Sequence, residues 1–231
     1  RGPFPMPLAP HRSSALPALG GGTLAAHALA CRRGRRLLFR GLDLQLPAGS
    51  ITWLQGANGS GKTSLLRILA GLSAPAEGTL SWNGQPLAAA GDATRAARLY
   101  VGHGNALKDD LSLLEALAFL ARLQGLDEAG PRARQALDRL GLGARADAPV
   151  RTLSQGQRRR GALARLALDD APRTWLLDEP YDALDQDSTA RLSALLTGHA
   201  GRGGAVLLTS HQALDLPGLA RVDLAAWGVA A

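Results

Sequence analysis

The chain has 231 residues, 46% hydrophobic and 19% charged, which suits one large globular domain with its own core. No apolar run reaches the ~20 residues of a membrane-spanning helix, so the chain is not expected to cross a bilayer, and the single cysteine, Cys31, excludes an internal disulfide and fits a reducing cytoplasm. The net charge of +7 admits nucleic acid or an anionic membrane surface as partner, but the excess is mostly dispersed arginine, Lys62 and Lys108 are the only lysines, and a biased Ala/Gly/Arg composition accounts for it better.

Residues 1–22 are Pro- and Gly-rich without helical or strand period and read as a disordered, dispensable N-terminal extension. Thr23 to Ala28 and Leu42 to Leu46 read as short strands joined through a basic turn at Gly34. The apolar run Ser50 to Gln55 is a further strand, followed by Gly56-Ala57-Asn58-Gly59-Ser60-Gly61-Lys62-Thr63 and then by a helical pattern, Ser64 to Gly71. Strand, glycine-rich loop and helix in this order form a phosphate-binding P-loop. Its backbone N–H groups point into one concavity, and the helix offers its positive end to an anion. Gly59 and Gly61 let the backbone come close, Lys62 is placed to reach the β- and γ-phosphates, and Thr63 to ligate Mg²⁺.

Glu77 to Trp82 is a strand closed by the hairpin signal Asn83-Gly84, which suggests an antiparallel β layer beside the nucleotide. Arg98 to Gly102 is another short strand. The pattern then turns helical over Leu111 to Leu123, Pro131 to Leu142 and Ser154 to Leu168, with Pro131 suited to a first helical turn. A strand at Thr174 to Leu177, a helix around Ser188 to Leu196 and a strand at Ala205 to Thr209 restore the β/α alternation. The expected fold is therefore α/β: a mainly parallel core with an antiparallel β layer and a helical insertion at about residues 104–168, all within one domain at 23–231.

Three further motifs accompany the P-loop. Leu153-Ser154-Gln155-Gly156-Gln157 opens an Arg-rich helix; alone, Ser154 would be only a good N-cap. Thr174-Trp-Leu-Leu-Asp178-Glu179 is an apolar strand ending in two acids, the Walker B pattern, with Asp178 able to hold Mg²⁺ and Glu179 to polarise an attacking water. His211 follows the apolar run Ala205 to Ser210, where a histidine is either a polar strand terminator or a catalytic contact.

The set, in this order, resembles the ABC ATPases over roughly Leu24 to Leu216. Leu153 to Gln157 is similar to the family signature, commonly LSGGQ, and departs from it only at Gln155. Pro180-Tyr-Asp-Ala-Leu-Asp185 looks like the D-loop and His211 like the switch histidine. Two positions depart from the common pattern: Tyr100-Val-Gly-His103 stands where most members carry a glutamine, and Cys31-Arg-Arg33 where most carry an adenine-stacking tyrosine. Both departures, together with Leu107-Lys108-Asp-Asp-Leu-Ser-Leu-Leu-Glu115 and Thr209-Ser-His-Gln212, resemble the ATP-binding subunits of the cytochrome c maturation haem exporter.

The resemblance implies ATP and Mg²⁺ as cofactors. It implies a head-to-tail dimer in which Lys62, Thr63, Asp178, Glu179 and His211 of one copy meet Ser154 to Gln157 of the other, separate transmembrane subunits, and a position on the cytoplasmic face of the inner membrane. Arg33 could stack on adenine, and His103 could replace the glutamine as a water or metal contact or be a surface histidine. Two rivals share the motifs: an exporter of lipid, peptide or drug, and a soluble ABC-type factor acting on nucleic acid or ribosomes. The interval from Lys62 to Leu153 lacks a tandem cassette or a long coiled coil, so no nucleic-acid partner is expected.

Overall fold

The computed structural model describes residues 21–87 and 91–229, so the extension expected at residues 1–22 lies almost wholly outside the described residues. In chain order come β1 (Leu24–Arg33), β2 (Arg36–Leu46), β3 (Ile51–Gln55), α1 (Lys62–Leu69), β4 (Glu77–Trp82) and β5 (Gln85–Pro86). There follow α2 (Gly91–Ala96), β6 (Arg98–Val101), α3 (Leu113–Leu123), α4 (Ala129–Arg139) and α5 (Gln155–Leu163). The chain continues through β7 (Thr174–Leu177), α6 (Gln186–Gly201), β8 (Ala205–Thr209) and β9 (Leu219–Asp223).

The strands form two sheets. One has five parallel strands in the order β6-β7-β8-β3-β9; the other has four antiparallel strands in the order β2-β1-β4-β5. The inner strands β3, β7 and β8 read as nearly unbroken apolar runs because both of their faces are covered. Their alternation divides the core in two. Trp175 and Leu177, Val206 and Leu208, and Ile51 and Trp53 point into a core shared with α3, α4, α5 and α6. Leu176, Leu207 and Leu54 point the other way, against α1 and the antiparallel sheet, where Leu65, Leu66, Phe39 and Leu42 pack.

The antiparallel sheet is longer than the sequence pattern suggests. β1 and β2 run on to a two-residue turn, Gly34-Arg35, that pairs Arg33 with Arg36. Register shifts along β1, with Ala28 at φ 47°, break the alternation that would reveal a strand of this length. The β4–β5 hairpin is the one expected: Trp82 faces Gln85, and Asn83 and Gly84 both take positive φ, 50° and 78°, as a type I′ turn requires.

Three helical expectations change. α4 begins at Ala129, so Pro131 is its third residue, still inside the first turn where no N–H is needed. α5 ends at Leu163 and tightens into a 3₁₀ turn over Ala164–Ala167 rather than continuing to Leu168. α6 extends to Gly201, with Asp185 accepting a hydrogen bond from Ser188 N at 2.8 Å as its N-cap. The strand β9 is unforeseen: Leu-Ala-Arg-Val-Asp is half exposed and weakly apolar, yet it pairs in parallel with β3 from Ile51/Leu219 to Gln55/Asp223.

In open parallel sheets, ligands bind beyond the carboxyl ends of the strands. Four such ends bear the candidate residues: β3 runs into the P-loop, β6 into Gly102-His103, β7 into Asp178-Glu179 and β8 into Ser210-His211.

Candidate nucleotide site

The P-loop conformation follows from its glycines. Gly56, Gly59 and Gly61 have φ of 146°, 79° and 109°, a region that side-chain-bearing residues rarely enter. Gly61 is also tightly enclosed, since a Cβ there would stand 3.2 Å from the Phe39 ring and 3.3 Å from Leu38 Cβ. Gly61 is the N-cap of α1 and offers no side-chain acceptor, and the first turn contains no acid. The first N–H groups of α1 thus lack the capping partners a helix start normally has and face an anion-sized concavity. Lys62 Nζ donates to Gly56 O at 2.7 Å and Ala57 O at 3.2 Å, curling its ammonium over the loop. Ser60 Oγ is buried and has no hydrogen-bond partner among the described residues.

The two acids at the end of β7 are buried, and each is held from several sides. Asp178 accepts from Thr63 Oγ1 at 2.8 Å through Oδ2 and from Thr209 Oγ1 at 3.0 Å through Oδ1. Thr209 Oγ1 in turn accepts from Glu179 N at 2.8 Å. Glu179 has φ 48°, a strained left-handed conformation for a residue with a side chain. Its Oε2 accepts from His211 N at 3.0 Å, and its Oε1 lies 3.5 Å from His211 Nε2. One hydrogen-bonded chain therefore runs from the P-loop helix through Asp178 and Thr209 to Glu179 and His211.

A cleft of about 380 Å³ gathers these groups, and its lining includes Arg33, Asn58, Gly59, Gly61, Lys62, Thr63, His103, Asp178, Glu179 and His211. Arg36 and Leu38 line it as well and were not assigned to the site from the sequence. His103 is largely exposed, with Nδ1 3.8 Å from Asp182 Oδ2.

The signature segment sits elsewhere. Ser154 to Gln157 do not line this cleft. They form a capping box at the start of α5, Gln157 N donating to Ser154 Oγ at 3.2 Å and Ser154 N to Gln157 Oε1 at 3.0 Å. Ser154 and Gln155 are exposed. Gly156 fits closely, because a Cβ there would lie 2.9 Å from Ala183 O in the loop after the acids. The helix start is thus presented outward, away from its own P-loop.

Sequence reasoning missed two further contributors. Thr209 was read as part of an apolar strand; a hydroxyl in a fully buried run needs partners, and that was its signal. Arg159 looked like one more arginine of a basic helix, yet it is only 3% exposed. Its Nη1 donates to Gly102 O at 2.9 Å and His103 O at 3.3 Å, and its Nη2 to Asp178 O at 2.8 Å and Glu179 O at 2.6 Å. Burial draws its pKa down, opposed by the charges of Asp182, Asp178 and Glu179. Burial, then the charge of Asp178, raises the Tyr100 phenol in the same neighbourhood.

Comparison with known proteins agrees with this geometry. Residues 39–182 match the family described as ABC transporter. The cytochrome c biogenesis ATP-binding export protein CcmA of Aromatoleum aromaticum is 48% identical over 189 residues, 82% of this chain and 88% of the relative. CcmA of Cupriavidus necator is 44% identical over 220 residues, covering 95% and 96%. Among solved structures, a putative ABC transporter ATP-binding protein from Pyrococcus furiosus has the same fold, with TM-score 0.78 and 22% identity over 90% of this chain and 100% of that one. So does the ATP-binding cassette MJ0796, solved as a dimer in a post-hydrolysis state bound to ADP and Pi, with TM-score 0.72 and 23% identity over 82% and 88%. The chain belongs to the ABC transporter ATP-binding proteins, in their cytochrome c biogenesis export branch, and is an ATPase.

Proposed function

We propose that this chain is the energy-converting subunit of a haem export complex, bound peripherally to the cytoplasmic face of the inner membrane, and that it works as an ATP-driven dimer. The observation that carries the reading is the hydrogen-bonded chain Thr63–Asp178–Thr209–Glu179–His211 beside a P-loop whose helix N-terminus is uncapped.

The substrate is ATP. Its phosphates fit the concavity of Gly56 to Thr63, with the loop N–H groups and Lys62 opposing their charge and the partnerless Ser60 Oγ available as a further contact. The residues also fit Mg²⁺: Thr63 and Asp178 are hydrogen-bonded oxygen donors at the cleft, suited to a hard cation that takes its remaining ligands from phosphate and water. When bound, the ion neutralises charge on the β- and γ-phosphates.

Glu179 accepts the proton of the attacking water, and His211, within 3.5 Å of its carboxylate, orients water and γ-phosphate. Arg33 lies across the same cleft, where its planar guanidinium can stack on the base. His103 stands at the mouth in the glutamine position of the wider family. The outward-facing start of α5, Ser154 to Gln157, then closes over the γ-phosphate held by a second copy. The MJ0796 cassette, which shares this fold, was solved as a dimer bound to ADP and Pi.

No helix among the described residues is long and apolar enough to cross a membrane, and the proposed reading assigns transport to separate transmembrane subunits. Capture of the tagged chain from detergent-solubilised membranes should recover small multispanning proteins; recovery of nucleic acid alone would contradict the reading. At the catalytic level, Glu179→Gln should lower kcat by about 10²–10⁴-fold while nucleotide still binds. A variant with unaltered turnover would remove Glu179 from the reaction.

A further inference from the structure

Arg159 stands on α5, the helix that begins with the signature segment, and its buried guanidinium reaches the loops that leave β6 and β7. Its four hydrogen bonds all end on backbone carbonyls and none on a carboxylate. Two of those carbonyls, Gly102 and His103, belong to the loop leaving β6; the other two, Asp178 and Glu179, to the turn leaving β7. An arginine spends a buried charge here on fixing the path of two catalytic loops, and its planar fork suits two pairs of converging acceptors in a way an ammonium does not. The clamped turn is also the strained one. Glu179 holds φ 48°, and the shortest of the four bonds, 2.6 Å, goes to its carbonyl. Residues in such a conformation persist where their surroundings over-determine them. The loop at Gly102 has little room to give, because a Cβ there would stand 2.9 Å from the Tyr100 hydroxyl.

We infer that Arg159 is a positioning residue that sets the Glu179 carboxylate from the signature helix, so that the placement of α5 and of the His103 loop is transmitted to the general base. The inference rests on the assignment of Glu179 as that base. α5 meets the second copy at its N-terminal end, and five residues after Ser154 the same helix grips the acids. When the signature segment is drawn onto a nucleotide, Arg159 moves with it, and the turn at Glu179 is brought into its working geometry. A lysine keeps the charge and most of the volume but offers a single point of donation to four carbonyls.

A double-variant cycle on the full chain tests this, using Arg159→Lys, Glu179→Gln and the combination, with kcat, KM for ATP and nucleotide-driven dimerisation measured for each. Arg159→Lys should reduce kcat by about 10–100-fold, leave KM within about threefold, and still form the ATP-dependent dimer. In the Glu179→Gln background it should have almost no further effect on the residual rate, since a residue acting through Glu179 has nothing left to position. If the two losses multiply, or if Arg159→Lys retains wild-type kcat, the inference is overturned. Arg159→Gln is the second variant should the lysine form fail to fold; if both fail, Arg159 is a structural pillar and the positioning role is refuted. Failure of the parent assignment looks different: Glu179→Gln alone would then hydrolyse ATP at the normal rate.

Discussion

Thr209 joins the two acids through one hydroxyl, donating to Asp178 and accepting from the Glu179 amide. Thr209→Val keeps the shape and deletes both bonds, leaving a buried amide unpaired, which costs about 1–3 kcal/mol. It should also lower kcat more than it changes KM, measured in steady-state ATP hydrolysis, because it loosens the turn at Glu179. His199 is a titratable residue with a clear consequence for stability. It lies buried, stacked on Trp175 with ring centroids 3.5 Å apart, and its Nε2 is paired with Arg173 O at 2.8 Å. Burial, only partly offset by that hydrogen bond, pulls its pKa down from 6.5 to about 4. Between those two values the unfolded chain binds a proton that the folded chain refuses, so stability is complete above pH 6.5 and falls as pH drops towards 4, by roughly 3 kcal/mol over the window. Urea unfolding at pH 7.5 and pH 4.5 should show this loss in the wild type, and a much smaller one in His199→Phe, which preserves the stack.

At the scale of elements, the starts of α3 and α1 differ in how their N–H groups are satisfied. α3 is closed by a full capping box, Ser112 Oγ accepting from Glu115 N at 3.2 Å and Glu115 Oε2 from Ser112 N at 2.8 Å. Hydrogen bonding from the Ser112 backbone N–H, and then from its side chain, also holds the Glu115 carboxyl below the usual range. Ser112→Ala should therefore cost about 1 kcal/mol in chemical denaturation while leaving ATP turnover unchanged. α1 has no such cap, and the omission coincides with the concavity that takes phosphate. The elements that were legible in the sequence are those whose signals are local. The Asn83-Gly84 turn, the buried runs of β7 and β8 and the glycine spacing before α1 each follow from a few adjacent residues. β9 and the full lengths of β1 and β2 were not legible, because a half-exposed edge strand and a bulged hairpin carry no clean period; pairing with neighbours, not local pattern, makes them strands.

At the scale of the molecule, the same division applies to the site. Lys62, Thr63, Asp178, Glu179 and His211 come from three separated motifs that were readable one by one, and the parallel sheet gathers them because each follows the carboxyl end of a strand. Arg159 was not readable, since nothing in Arg158-Arg159-Arg160 distinguishes the residue that turns inward; only the packing of α5 against the β6 and β7 loops does so. Arg158 and Arg160, its neighbours on the same helix, remain partly exposed. The signature segment poses the complementary case: readable as a motif, but outside the cleft of its own chain. On the proposed reading, that separation makes a second copy necessary for a complete site. The most direct measurement of that requirement is the mass of the Glu179→Gln protein in solution, by size-exclusion chromatography with light scattering, with and without ATP and Mg²⁺. A monomer that becomes a nucleotide-bound dimer only when ATP is added is the predicted result; a protein that binds ATP and remains monomeric would contradict it.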